Sequence, residues 1–214
     1  LEPMTTIIIN NKGTIDKFIG DAVMAYWNAP NKLKNHPDLS VQTAIKQIDT
    51  LQELNKTLQN EFGVSLKIGI GIHTGLAVVG EMGSKGRSDY TIIGDNVNLT
   101  SRIEGLTKYF GAKILISQST KNMLKEAYNF KYVASVVVKG KTSSIDLYEV
   151  LNSTDYKIYE LIKNDYEEAI LNYKKRNFKL SLDLFYKVNQ IQKHVLNDMY
   201  IEKIINIEKS QDTK

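Results

Sequence analysis

The chain has 214 residues, 42% of them hydrophobic and 24% charged, and a formal net charge of +4. This length suits one domain plus an accessory element, and Lys and Arg are scattered among acids, which reads as a solvated surface and argues against a nucleic-acid footprint. The absence of cysteine excludes disulfides and thiolate metal sites and suits a reducing compartment; no apolar run approaches the ~18–20 residues of a membrane span, and no signal peptide is visible.

Residues 1–11 read as the end of a helix, although Ile7–Ile9 alone would pass for strand. A start at Leu1 directly on this stretch leads us to expect a chain cut from a longer protein. Asn11-Lys12-Gly13 is a turn. Thr14–Phe18 and Ala22–Trp27 are β-prone runs around Ile19-Gly20-Asp21 and predict a hairpin with a polar tip. Asn28–Pro37 is a loop, after which Asp38 or Ser40 can cap a helix over roughly Leu39–Phe62, with apolar residues at helical spacing.

Leu66–Ile72 alternates as a strand, and Leu76–Val79 continues as one. Gly80–Ser88 reads as a glycine-rich crossing, Tyr90–Ile93 as a short strand, and Asn96–Tyr109 as a helix ended by Gly111. Lys113–Ile116 is a strand and Ser117–Ala127 a short helix with a Ser cap. Lys131–Val138 and Ile145–Val150 form a strand pair around Lys139-Gly-Lys141. Alternating strands and helices with antiparallel hairpins predict an α/β sandwich of ferredoxin-like type over residues 1–152.

After Asn152 glycine and proline vanish, and Asp155–Gln192 reads as two helical stretches meeting near Arg176-Asn-Phe178. The pattern Ala169-x8-Phe178-x2-Ser181-x3-Phe185-x2-Val188 resembles one tetratricopeptide helix pair. A plain helical hairpin fits residues 153–214 equally well, because such repeats gain stability by stacking. Glu202–Lys214 is polar and is expected to fray.

Gly69-Ile-Gly-Ile-His-Thr-Gly75 lacks the helix that a dinucleotide fingerprint needs directly after its glycines, since Leu76-Ala-Val-Val79 is strand-like. Glycines easing a strand bend are the better reading. His73, without cysteine or a nearby second histidine, reads as a packed core residue. Asp21 fits either a solvated hairpin tip or one of the carboxylates a hard cation takes along with phosphate oxygens. Asp16 reads as an exposed strand residue without a role. Lys17, Thr91, Asn98 with Arg102 on one helical face, and Lys139 with Lys141 each have an ordinary surface or strand reading.

What singles them out is their joint order. Gly13–Trp27 and Tyr90–Glu104 resemble the class III nucleotidyl cyclases, the adenylate and guanylate cyclase catalytic domains of bacterial type, and the similarity runs from about Leu1 to about Val150. The resemblance implies a ferredoxin-like cyclase core working as a head-to-tail homodimer with active sites between the protomers. By the same resemblance, Asp21 matches the second of two metal aspartates and Lys17 the lysine that reads adenine. Thr91 matches the other base-reading residue, with the backbone of Ile92 beside the base. Asn98 matches the ribose-orienting asparagine, Arg102 the arginine on the α-phosphate, and Lys139 the lysine near the β- and γ-phosphates.

The implied reaction is attack of the ribose 3′-oxygen on the α-phosphorus of ATP, assisted by two Mg²⁺ or Mn²⁺ ions, releasing pyrophosphate and cyclic AMP for intracellular signalling. The family's first metal aspartate lies in a Phe-x-Asp strand upstream of the hairpin, and no such segment occurs here. The resemblance therefore implies an N-terminally truncated sandwich with an unpaired strand edge, poor metal binding and little activity from this chain alone. A cytoplasmic location is expected, with membrane association only through upstream segments. A guanylate cyclase, a non-catalytic nucleotide-binding or regulatory partner, and a scaffold acting through the C-terminal helices are the competing readings.

Overall fold

The computed structural model describes residues 1–84, 86–137 and 143–212. The chain divides into two compact units, Leu1–Asn152 and Ser153–Lys214.

The first unit opens with helix α1 (Glu2–Asn10) and the hairpin β1 (Thr14–Ile19)–β2 (Ala22–Tyr26). The long helix α2 (His36–Phe62) follows, then strand β3 (Ile70–Ile72) and a second hairpin, β4 (Val78–Ser84)–β5 (Arg87–Ile93). Helix α3 (Asp95–Phe110), strand β6 (Ile114–Ser117), helix α4 (Gln118–Met123) and the strand pair β7 (Asn129–Val136)–β8 (Ile145–Leu151) complete it. Among the described residues each hairpin is a two-stranded sheet, and β3-β6-β8-β7 form a third. In that sheet β3 runs parallel to β6, and the other pairs are antiparallel.

The four-stranded sheet is covered on both faces. Val41, Ala44 and Ile48 of α2 pack with Ile114, Ile116 and Val150, and Ile70 and Ile72 join the same cluster. Strand alternation turns Gly71 to the opposite face, where α3 packs on β3 and β6 through the buried Leu99, Ile103 and Phe110. A Cβ on Gly71 would collide with the backbone of Glu104 in α3. This glycine therefore serves close helix–strand approach, a different role from the strand bend read from the sequence.

Several local expectations change for tertiary reasons. Leu66–Ile72 is strand only at Ile70–Ile72. The backbone of Leu66 is satisfied by the Asn55 side chain, which both accepts and donates at 2.8 Å, and not by a neighbouring strand. The expected crossing at 80–88 is a hairpin: Gly80 pairs with Thr91 and Met82 with Asp89, so partners across the ladder offset the weak strand preference of glycine. Asp38 does not cap α2. Its buried carboxylate accepts from the backbone amides of Lys125 and Glu126, both at 3.1 Å. Those amides are thereby withdrawn from the helix expected to reach Ala127, and α4 stops at Met123. The Ser117 cap is present, its hydroxyl accepting from the Thr120 amide.

The second unit holds four helices among its described residues where two were expected: α5 (Ser153–Glu160), α6 (Lys163–Lys174), α7 (Phe178–Ile191) and α8 (Val195–Asp212). The described part of the segment expected to fray, residues 202–212, lies in α8, where Leu196, Tyr200 and Ile204 recur every fourth residue and are buried. The core is aromatic, with Phe185 stacked on Tyr200 at 4.9 Å and Tyr166 edge-on to Phe185 at 6.0 Å. The Ser181 hydroxyl donates to the Ala169 carbonyl at 2.8 Å, joining α6 and α7 at two small residues.

Candidate active site

The hairpin β1–β2 turns at Gly20, whose φ of +62° suits a residue without a Cβ, and the next residue, Asp21, is exposed at the tip. Lys17 lies on β1 with its side chain about half exposed. Between Ile15 and Lys17 the ladder slips: Ile15 faces Ala25, Lys17 faces Met24, and Asp16 is the extra residue. A bulge of this kind re-aims a side chain. Here it corrects the sequence reading of Asp16 as exposed, because the carboxylate is completely buried.

Asp16 reaches strand β5. Its Oδ2 accepts from the Thr91 hydroxyl at 2.9 Å, its Oδ1 accepts from the Ile92 amide at 3.1 Å, and Lys17 Nζ stands 3.3 Å from Oδ2. Lys17, the next residue in the chain, and Thr91 with Ile92, 75 and 76 residues beyond Asp16, thus converge on one carboxylate. Burial, followed by the influence of Tyr90 and of the Asp16 carboxylate, holds the neighbouring Tyr26 hydroxyl above its usual pKa. The sequence offered one signal for Asp16, a carboxylate inside a strand of good β-formers; the bulge that buries it has no sequence signature.

Helix α3 begins immediately after β5, with Gly94 as its N-cap residue. Asn98 and Arg102 are exposed, while the adjoining Leu99 and Ile103 are buried, so the polar pair faces away from the sheet. A polar network holds the start of this helix. Asn96 donates from Nδ2 to the Leu76 carbonyl at 2.8 Å, which leaves its Oδ1 to accept from His73 Nε2 at 3.1 Å. His73 Nδ1 then accepts from the Ser117 hydroxyl at 2.8 Å. His73 is only partly buried and not the packed core residue expected, and its partners are polar ones on α3, β6 and α4. Lys139 and Lys141 lie outside the described residues.

The donor set for a cation is small. Asp21 is one exposed carboxylate, Asp16 is engaged by Thr91, Ile92 and Lys17, and no group of three His, Cys, Asp or Glu that could hold a metal occurs among the described residues. One carboxylate completed by substrate phosphates fits a single Mg²⁺ or Mn²⁺. Two ions do not fit these residues without further donors.

The sequence model of the adenylate and guanylate cyclase catalytic domain matches residues 3–160. The chain belongs to this family. The cyclase domain is 34% identical over 145 residues to adenylate cyclase 1 of Rhizobium meliloti, covering 68% of this chain and 22% of that protein. It is 41% identical over 145 residues to an adenylate cyclase of Anabaena cylindrica, covering 64% of this chain and 28% of that one. The chain thus spans only about a quarter of the length of these curated relatives. The structure of the adenylyl cyclase CyaB from P. aeruginosa superposes with a TM-score of 0.64 at 31% identity, covering 71% of this chain and 78% of that one. A solved guanylyl cyclase superposes at 0.63 with 32% identity, covering 70% and 75%. The α/β cyclase sandwich expected from the sequence is therefore the observed class of fold, followed by helices.

Proposed function

We propose that the domain converts ATP to cyclic AMP and pyrophosphate. The observation that carries this reading is the convergence of Lys17 and Thr91 on Asp16, beside a helix whose exposed face bears Asn98 and Arg102. A lysine ammonium donates to adenine N1, and a threonine oxygen accepts from the 6-amino group. Guanine presents a donor at N1, which a lysine meets badly. The carbonyl of Ile92 is a second acceptor for the base: in a strand the N–H and C=O of one residue point to the same side, and the Ile92 N–H points to Asp16.

In the reaction the ribose 3′-oxygen loses its proton to water and forms a bond to the α-phosphorus as the bond from that phosphorus to the bridging oxygen of pyrophosphate breaks. Asn98 holds the ribose so that the oxygen stands in line with the leaving group. Arg102 stabilises the charge that builds on the non-bridging oxygens. Lys139 takes the β- and γ-phosphates. Asp21 would hold Mg²⁺ or Mn²⁺, which when bound neutralises phosphate charge; a second ion needs donors beyond this residue.

The active assembly is a homodimer with sites between protomers. The exposed Phe18 and Ile19 on β1, Leu76 before β4, and the cross-strand partners Val78 and Ile93 support this, being apolar residues left on the surface of one chain. The second unit acts as a helical, tetratricopeptide-like extension, supported by the burial of Ala169, Ser181, Phe185 and Val188. A cytosolic site of action is part of the proposal. No helix among the described residues is long and apolar enough to cross a membrane.

A guanylate cyclase is the second reading, favoured by the guanylyl cyclase superposition and by a 27%-identical cyclase domain solved with GTP. Cyclic nucleotide production from ATP and from GTP by the full-length protein, with Mg²⁺ or Mn²⁺, decides between the two. The expected result is cyclic AMP in excess over cyclic GTP. Absence of product above an Asp21→Ala control would sink the catalytic proposal.

A further inference from the structure

We propose that Asp16 is a positioning residue that sets the purine choice of this site, by accepting the hydrogen bond of the Thr91 hydroxyl and so presenting Thr91 to the base as an acceptor only. The inference rests on the adenine reading above and supplies its cause. A free threonine hydroxyl rotates and serves either as donor or as acceptor, so by itself it would discriminate weakly between the 6-amino group of adenine and the 6-oxo group of guanine. Here the choice has been made before any nucleotide arrives. The Thr91 hydroxyl donates to Asp16 Oδ2 at 2.9 Å, and what remains toward a ligand is oxygen lone pairs. A 6-amino group satisfies them, whereas a 6-oxo group meets them as like against like.

The carboxylate is itself locked. Its other oxygen, Oδ1, accepts the Ile92 amide at 3.1 Å, and the side chain is wholly buried at the β1 bulge, so it cannot swing away. The same contact occupies the one backbone donor that Ile92 has, leaving only its carbonyl for a base. Lys17 Nζ, 3.3 Å from the same Oδ2, is the donor that the adenine pattern requires beside these acceptors. One buried carboxylate thus fixes two acceptors, the Thr91 oxygen and the Ile92 carbonyl, and one donor, Lys17.

The substitution that tests this is Asp16→Asn, which keeps shape and inverts one bond. The amide of Ile92 must still be met by an oxygen, so the new amide NH₂ faces Thr91 and donates to it. The threonine proton is then released toward the base, where it suits a 6-oxo group. Binding is read by calorimetry with the non-cyclising 3′-deoxy triphosphates of adenosine, guanosine and 6-unsubstituted purine riboside.

The unaltered protein should favour adenosine over guanosine, and D16N should reduce that ratio by about tenfold, as one hydrogen bond reversed implies. In a Thr91→Val background, D16N should change the ratio clearly less, because the part that passes through the hydroxyl is gone and only the part that passes through Lys17 remains. The unsubstituted purine needs no variant. It should bind the unaltered protein about tenfold more weakly than the adenosine compound, and equal binding would show that Thr91 is not a committed acceptor. A ratio unchanged in D16N, or changed equally with and without Thr91, overturns the inference and leaves the adenine reading standing. Equal affinity of the unaltered protein for adenosine and guanosine overturns that reading and this inference together.

Discussion

The β1–β2 hairpin and the β5–α3 segment carry the candidate site between them, and they are built on different terms. In β5–α3 the site residues sit on regular backbone. Thr91 faces inward, Leu99 and Ile103 are buried one helical turn apart, and Asn98 and Arg102 share the opposite face. In β1–β2 the period is broken once, at Asp16, and that break is what joins the two segments. A regular element can display side chains, but it takes an irregular one to aim a strand residue at a neighbour its alternation would miss.

The sharpest way to break this comparison is Arg102→Ala. Arg102 is exposed on α3, with its backbone in regular helix, so the fold should persist while cyclic nucleotide formation falls by about 10²–10³-fold, the usual effect of removing one group that stabilises transition-state charge. Far-UV circular dichroism and a rate assay check both halves; an unchanged rate would remove β5–α3 from the chemistry. Lys17→Ala should have a smaller and different effect. The ATP-to-GTP ratio of kcat/KM should fall about tenfold, for one lost hydrogen bond, while the metal dependence stays as it was. A change in metal dependence instead would place Lys17 with Asp21 and not with the base.

Gly71→Ala probes the platform beneath both segments. The added methyl would push against the Glu104 backbone and should cost about 1–3 kcal/mol in urea denaturation, with a loss of rate because α3 moves and carries Asn98 and Arg102 with it. Stability unaffected by this change would contradict the close packing of α3 on β3.

The smallest effect concerns pH. Tyr26 is held above its ordinary pKa of 10.0 by burial, then by Tyr90 and Asp16, and Tyr128 and Tyr148 are also raised, chiefly by burial. Above pH 10.0 these groups keep their protons when folded and lose them when unfolded, so the folded state binds more protons and stability falls as pH rises. Denaturation midpoints on either side of 10.0 should show the decline, and Tyr26→Phe should make it shallower.

Much of the framework was readable from the sequence. The ends of α2 and α3 follow from Gly63 and Gly111, both in the left-handed conformation. The hairpin at Gly20 and the β7–β8 pair follow from β-prone runs and their interruptions. Other features were hidden because a distant partner decides them. Asp38 looks like a helix cap until the 125–126 backbone claims it. The glycines at 80–86 look like a crossing until β5 pairs with β4. Helix α8 looks polar because a stripe of every fourth residue is only a small share of its composition.

For the candidate site the division follows the range of the forces. The chain by itself determines that Lys17 stands four residues before Asp21, that Asn98 and Arg102 share a helical face, and that a strand bearing Thr91 runs straight into that helix. These are consequences of backbone geometry, which acts over a few residues. Only the tertiary structure decides that Asp16 is buried rather than exposed, and that it draws Lys17, Thr91 and Ile92 together. A buried carboxylate is tolerated only where donors meet it, and two of those donors, Thr91 and Ile92, come from a strand the local sequence cannot see.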